Sequence, residues 1–294
     1  MRIRNCWIFG LAGVAAACSS DRTYAPPGTM LTDAQVSADV AATAGMAAAG
    51  SVEEQGHYFD YVGVSPSVNT FAQLGHVSSG MPVPSADNSA PTTTPVKPVC
   101  AYVSSTGRWM CAPYVNSRGL TVLSSYAYFD ASGHPMQRYS SVTTERIEYK
   151  SQLDGPVGDG TTLTGVTHRT GHQVLSGLSA KETTHVWNGA GVSADTTYHH
   201  DAAGSRHYAG IELDSVKNVV YLQPRMPGTY PLSGQVVRVA NYSVTAVGKA
   251  TETRSVSRTA VTTFNGTAAV PIRLGTMSCT LHLDTRKVDG CTSH

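Results

Sequence analysis

Four histidines, His185, His199, His200 and His207, lie close together in a chain otherwise poor in reactive side chains. Imidazole titrates near neutrality and is a common metal ligand, so this group is the first place to look for chemistry. Adjacent strand residues point to opposite faces, and His199 and His200 therefore cannot serve one metal from one strand. A turn at Asp201–Gly204 would set His200 opposite Ser205, His207 opposite Tyr198 and His199 opposite Arg206. His200 and His207 then become diagonal neighbours about 7 Å apart on one face, which a metal could bridge. A third ligand is missing. His185 is expected opposite Ala194, roughly 20 Å from His200 at about 3.3 Å per residue, and Arg206 beside His199 repels a cation. The expectation is polar histidines on a solvated sheet face, with no metal and no cofactor.

Other motifs are weaker. "GHVSSG", from Gly75 to Gly80, has one residue too many for a nucleophile elbow and lies beside a proline-rich stretch, not between a strand and a helix. Walker, H-E-x-x-H and calcium-loop patterns do not occur. Asp154 and Asp159 in "DGPVGDGTTLTG" read as turn formers. Trp109, Tyr126, Tyr128 and Trp187 read as packing on a sheet face, not as a ligand shelf. No catalytic residue is assigned.

The start of the chain carries an address. Arg2 and Arg4 precede an apolar run from Trp7 to Ala17, the layout of a secretory signal. The run is too short for a spanning helix, which needs about 20 apolar residues. It ends at Ala15-Ala16-Ala17-Cys18, which resembles the lipobox of bacterial lipoproteins, although Ala15 stands where that family usually has Leu. The resemblance covers this segment alone. It implies cleavage before Cys18, a diacylglycerol thioether on that cysteine and an N-acyl chain, so that the membrane partner is reached through the lipid. Ser19 after the cysteine, in the sorting pattern familiar from enteric bacteria, implies the outer membrane.

Removing that signal leaves 19 basic against 20 acidic side chains, a formal charge of −1. No basic stripe survives for nucleic acid. Cys6 leaves with the signal and Cys18 takes lipid, so Cys100, Cys111, Cys279 and Cys291 remain. An even number in an oxidising compartment reads as two disulfides. Three connectivities are open to four cysteines, and hairpin register favours neighbours. A turn at Ser104–Gly107 sets Cys100 opposite Cys111 and Tyr102 opposite Trp109, and one around Asp284–Arg286 sets Cys279 opposite Cys291. A zinc site would want a C-x-x-C pair, and none occurs.

The elements that position these residues follow from composition and pattern. Residues 1–17 form the signal and 18–31 a tether. Residues 32–77 hold an Ala-rich helix, expected from the Thr32–Gln35 capping box to about Glu54 and weakened by Gly45 and Gly50, that docks loosely or not at all. Residues 78–99 form a Pro/Ser/Thr-rich linker unable to bury enough apolar surface to offset ordering. From 100 to 294 the signals are strand signals, with reversals at Asp130–Gly133, Asn188–Gly191, Asp201–Gly204, Gly248–Lys249 and Asn265–Gly266. The fold class is mainly β: one large antiparallel meander sheet, curled into a half-barrel or folded into a sandwich. A membrane barrel would end in an aromatic residue and carry aromatic girdles, and this chain ends Cys291-Thr292-Ser293-His294.

These features together lead to an expected cell-envelope lipoprotein with a non-enzymatic structural or binding role, its partner an apolar ligand or another envelope protein. The alternatives are a carrier of a lipid or other apolar ligand in the concave face of a half-barrel, and an envelope hydrolase or metal-dependent enzyme built on His200 and His207.

Overall fold

The structure is a computed structural model. It describes residues 31–61, 98–116, 118–179, 182–202, 204–223, 229–247 and 251–293. The lipobox, the tether to residue 30, "GHVSSG" and nearly all of the proline-rich linker lie outside the described residues.

One helix precedes one sheet. Helix α1 (Asp33–Tyr61) is followed by β1 (Cys100–Val103), β2 (Arg108–Cys111), β3 (Tyr114–Val115), β4 (Thr121–Asp130), β5 (Pro135–Met136), β6 (Thr144–Gly158) and β7 (Leu163–Ser176). Then come β8 (Thr184–Asp201), β9 (Gly204–Leu222), β10 (Ser233–Val247), β11 (Thr251–Thr263), β12 (Ala269–Leu274), β13 (Met277–His282) and β14 (Lys287–Ser293). All belong to one 14-stranded antiparallel sheet that runs from β1 through β2, β4 and β6 and then in chain order to β14, with β3 and β5 pairing the flank of β4. Among the described residues the ends, β1 and β14, do not pair, so the sheet is open and not closed into a barrel.

Curvature is written in glycine. At Gly210, mid-strand in β9, a Cβ would stand 2.0 Å from the carbonyl oxygen of Asn241 on β10, a distance no side chain tolerates. Such inward-facing glycines let a long sheet bend sharply toward its concave side. The expected turn at Asn188–Gly191 is a second case and a correction: β8 runs unbroken from Thr184 to Asp201. Its register against β9 shifts between Trp187 and Gly189, and Asn188 Oδ1 accepts from the Asn218 N–H at 2.9 Å. The extra residue of the bulge belongs to β9 at Lys217–Asn218, where Asn218 has a positive φ, and Asn188 caps it from an unbroken β8.

Helix α1 starts as its capping box requires: the Gln35 N–H donates to Thr32 Oγ1 at 3.2 Å and the Thr32 N–H to Gln35 Oε1 at 3.4 Å. It outlasts the expected Glu54 by two turns, ending at Tyr61. It is also firmly seated. Val36, Val40, Ala44, Ala48 and Val52, at four-residue steps along one face, are all buried, and the helix packs on β10 to β14. Gly45 and Gly50 are points of closest approach, not weak points: a Cβ on Gly45 would meet Val288 Cγ2 of β14 at 2.4 Å, and one on Gly50 the Arg118 guanidinium at 2.7 Å. Arg118 sits in the loop before β4, so α1 spans the gap between the two ends of the sheet.

The two terminal hairpins are stapled. Cys100 and Cys111 are bonded across β1 and β2, with Tyr102 facing Trp109 as the turn arithmetic required. Cys279 and Cys291 are bonded across β13 and β14, beside a register shift. Each staple fixes the strand pair that has no neighbour on its outer side, where a sheet is easiest to fray.

Candidate functional site

The concave face of β7 to β10 carries charge where a half-barrel usually carries Val and Leu. In β9, alternation sends Arg206, Tyr208, Glu212 and Asp214 inward while Ile211 and Leu213 face out. In β8 it sends Ser193, Asp195, Thr197 and His199 inward, and in β10 Arg238 and Tyr242. Two polar centres result.

The first anchors the helix. Asp39, on the second turn of α1, accepts from Arg206 Nε at 2.6 Å and Nη2 at 3.0 Å and from the Tyr208 hydroxyl at 2.5 Å. His199 Nδ1 lies 3.2 Å from the same carboxylate, and its Nε2 is 3.4 Å from Thr43 Oγ1 one turn further along the helix. Arg206 also holds Asp201 at 2.7 Å. Burial works against ionising Asp39, but the hydrogen bonds from His199, Arg206 and Tyr208 outweigh it and bring the pKa down to about 2. The Arg206 guanidinium is correspondingly held charged. Further along α1, Gln55 accepts from the Tyr221 hydroxyl at 2.8 Å. At the N-terminal end Asp33 accepts from Arg254 at 2.9 Å and Arg258 at 3.2 Å.

The second centre is ionic and enclosed. Arg238 grips Asp214 with two bonds of 2.7 Å and also contacts Glu212, while Arg169 on β7 lies 3.5 Å from Asp214. Asp195 takes a 2.5 Å bond from Thr167. Three carboxylates thus face two guanidinium groups. Burial, reinforced by the charges of Asp195 and Asp214 and opposed by Arg238, raises Glu212 to about 7. Asp214, though buried, stays below the usual range because Arg238 and Arg169 face it. Glu212 Oε1, Arg169 Nε, Thr197 Oγ1 and the Tyr242 hydroxyl are buried without a hydrogen-bond partner among the described residues. On the register they surround Gly210, which is flanked by Asp195 and Tyr242 across the strands and by Glu212 along its own. Chemically this centre can take up or release a proton near neutrality. With Glu212 fully buried, it offers no open face to a substrate.

The histidines divide as strand alternation demands. His200 and His207 face outward and share a face, with the Tyr198 ring beside both, 4.6 Å from His207 and 6.4 Å from His200. His200 Nδ1 is 2.9 Å from Ser205 Oγ. Among the described residues no group of three His, Cys, Asp or Glu side chains is placed to hold a metal ion. His199 faces inward with Arg206, and the two bind one helix carboxylate together. His185 is opposite Tyr221, not Ala194, because β8 has no turn at Asn188–Gly191. It is buried, with Nδ1 2.8 Å from the Gly177 carbonyl, and burial lowers its pKa. Asp159 closes the β6–β7 turn: although burial works upward, bonds from Leu163, Thr162 and Thr161 hold it at about 2. Asp154 instead pairs with His168 and Gln152. The aromatics pack into one another, from Trp109 through Tyr126 and Tyr149 to Trp187.

Asp39, Arg206, Tyr208, Asp195, Glu212, Asp214 and Arg238 carry the polar chemistry of this face, and none was singled out by motif. The available signal was phase: in "RHYAGIELD" the charged residues share a strand face with Tyr208, and the aliphatic Ile211 and Leu213 share the other. No family model, curated protein or solved structure matches the chain. The class is therefore defined by the architecture: an open curled antiparallel sheet whose concave face is filled by the helix that precedes it.

Proposed function

We propose that this chain is a lipid-anchored module of the bacterial cell envelope, acylated at Cys18, with a non-enzymatic structural or binding role. Ala15-Ala16-Ala17-Cys18 supports the anchor, and the seat of α1 supports a role other than carriage of an apolar ligand. The concave groove, the surface a half-barrel would offer to an apolar ligand, is filled by the chain's own helix through a buried carboxylate and its donors. The helix begins at Asp33, only fifteen residues beyond Cys18. At about 3.4 Å per extended residue, a docked helix would keep the sheet within roughly 50 Å of the bilayer. A carrier of apolar ligands in the concave face would need α1 to leave, breaking the Asp39 contacts. An enzyme built on His200 and His207 would need a third ligand from elsewhere. Mass spectrometry of the mature chain tests the anchor: the expected N-terminal residue is Cys18 bearing a thioether diacylglycerol and an N-acyl group, and Cys18→Ser should abolish membrane partitioning. An unacylated chain beginning elsewhere would overturn the anchor. An apolar molecule found bound to detergent-free protein by native mass spectrometry would favour the carrier.

A further inference from the structure

The same alternation that buries charge on the concave face turns apolar residues outward, and the outer face of β8 to β11 is unusual for an exposed sheet. At its centre Val192, Leu213 and Val239 form one cross-strand row, flanked by Ile211 with Ala194 on one side and Ala190, Val237 and Val261 on the other. Ile211 is 54% exposed, Leu213 50% and Val192 41%. Around them stand hydroxyls and amides, such as Asn241 with Ser257 and Thr245 with Thr253. Of the outward residues described on these four strands, none is a carboxylate and only Lys217 is a lysine or arginine. The contrast with β6 is sharp, since its outer face alone carries Arg146, Glu148, Lys150 and Asp154. Surfaces meant to stay in water carry roughly a quarter to a third charged residues, so a face of this size without them is built to be covered.

We infer that this outer face is a homodimer interface, occupied by the same face of a second copy of the chain. Two observations favour a second copy over another partner. A surface with almost no charge gives a charged partner nothing to pair with, whereas it matches itself. The footprint has the right size: four strands about 4.8 Å apart and some 13 residues long cover about 800 Å², close to the roughly 800 Å² per partner of a stable interface. Two such faces would stack like the layers of a β-sandwich, about 10 Å apart. The helix stays on the concave side, so dimerisation requires neither its release nor acylation, and the inference stands or falls apart from the lipid anchor.

Sedimentation velocity of the full chain in density-matched detergent, over a concentration series, tests this. The expected species holds two copies per particle at micromolar concentration. Leu213→Lys should raise the dimer dissociation constant by at least tenfold, because a two-fold axis places two substituted side chains in one interface, while the circular dichroism spectrum stays as in the parent. Val142→Lys, at a position 79% exposed and away from this face, should leave the dimer intact. A monomer at all concentrations up to about 100 µM overturns the inference, as does a dimer indifferent to Leu213→Lys. Binding of neutral phosphatidylcholine vesicles by a monomer, lost in Leu213→Lys, would overturn it in favour of a bilayer as the occupant.

Discussion

Asp39 on α1 accepts two hydrogen bonds from Arg206 on β9, at 2.6 and 3.0 Å, across 167 residues of sequence. Both side chains are buried, so this pair is the point at which the helix and the sheet are recorded as one fold. The Tyr208 hydroxyl and His199 reach the same carboxylate and leave it well satisfied.

Breaking this pair from one side should cost more than removing it. Asp39→Ala leaves the Arg206 guanidinium buried and half-partnered, for which a loss of roughly 3–5 kcal/mol is expected. Urea denaturation followed by circular dichroism would measure it. The double variant Asp39→Leu with Arg206→Met should recover most of that loss. Asp39 also sets an acid limit. Its folded pKa, about 2, lies below the ordinary carboxylate value, so its contribution is full above that ordinary value and disappears as pH falls toward 2.

Glu212 predicts the opposite slope. Its folded pKa, about 7, is above the unfolded value of 4.5. The folded state therefore holds a proton that the unfolded state has released, and stability falls as pH rises from about 4.5 to 7. The expected size is about 3 kcal/mol. Glu212→Gln, neutral throughout, should flatten the stability profile over that window. An unchanged slope would assign it to other groups.

Gly210→Ala should be among the most damaging single changes in the sheet. Its Cβ would fall 2.0 Å from the Asn241 carbonyl oxygen, and the only relief is to open the bend between β9 and β10. A loss of at least about 3 kcal/mol is expected, at the upper end for point substitutions. Ala209→Ser, one residue earlier and on the outer face, should be nearly silent in the same thermal melt.

Each edge staple should count separately. Cys100–Cys111 and Cys279–Cys291 close loops of 11 and 12 residues, for which chain entropy gives about 3 kcal/mol each. Cys279→Ser with Cys291→Ser should lower the urea midpoint accordingly. Hydrogen exchange should then rise first in β13 and β14, with β7 to β10 unaffected.

Much of the scaffold was legible because local rules fix it. The capping box set the start of α1, D-x-x-G chemistry set the turns after Asp130 and Asp201, and hairpin register paired the four late cysteines and placed Tyr102 against Trp109. Asn188–Gly191 failed under the same rule. The pattern reads as a turn, but β8 runs straight through it and the bulge lies opposite Asn188 in β9, which only the pairing of the neighbouring strands decides. That one misplacement carried His185 to the wrong partner. The polar face was hidden for another reason. Alternation gives two faces but not which of them is buried, and expecting aliphatic residues inside points the wrong way for β9 from Arg206 to Asp214, although it holds for Val216 and Val219.

By itself, then, the sequence determined the mainly antiparallel β class, the start of α1, several of the turns and the disulfide register, all of which depend on residues within one or two hairpins of each other. Only the tertiary structure decided that α1 lies in the groove, that Asp39 meets Arg206, His199 and Tyr208 there, and that the outer face of β8 to β11 is the one nearly free of charge. Those outcomes depend on sheet curvature summed over many strands and on desolvation at sites far apart in the chain, and no local pattern encodes either.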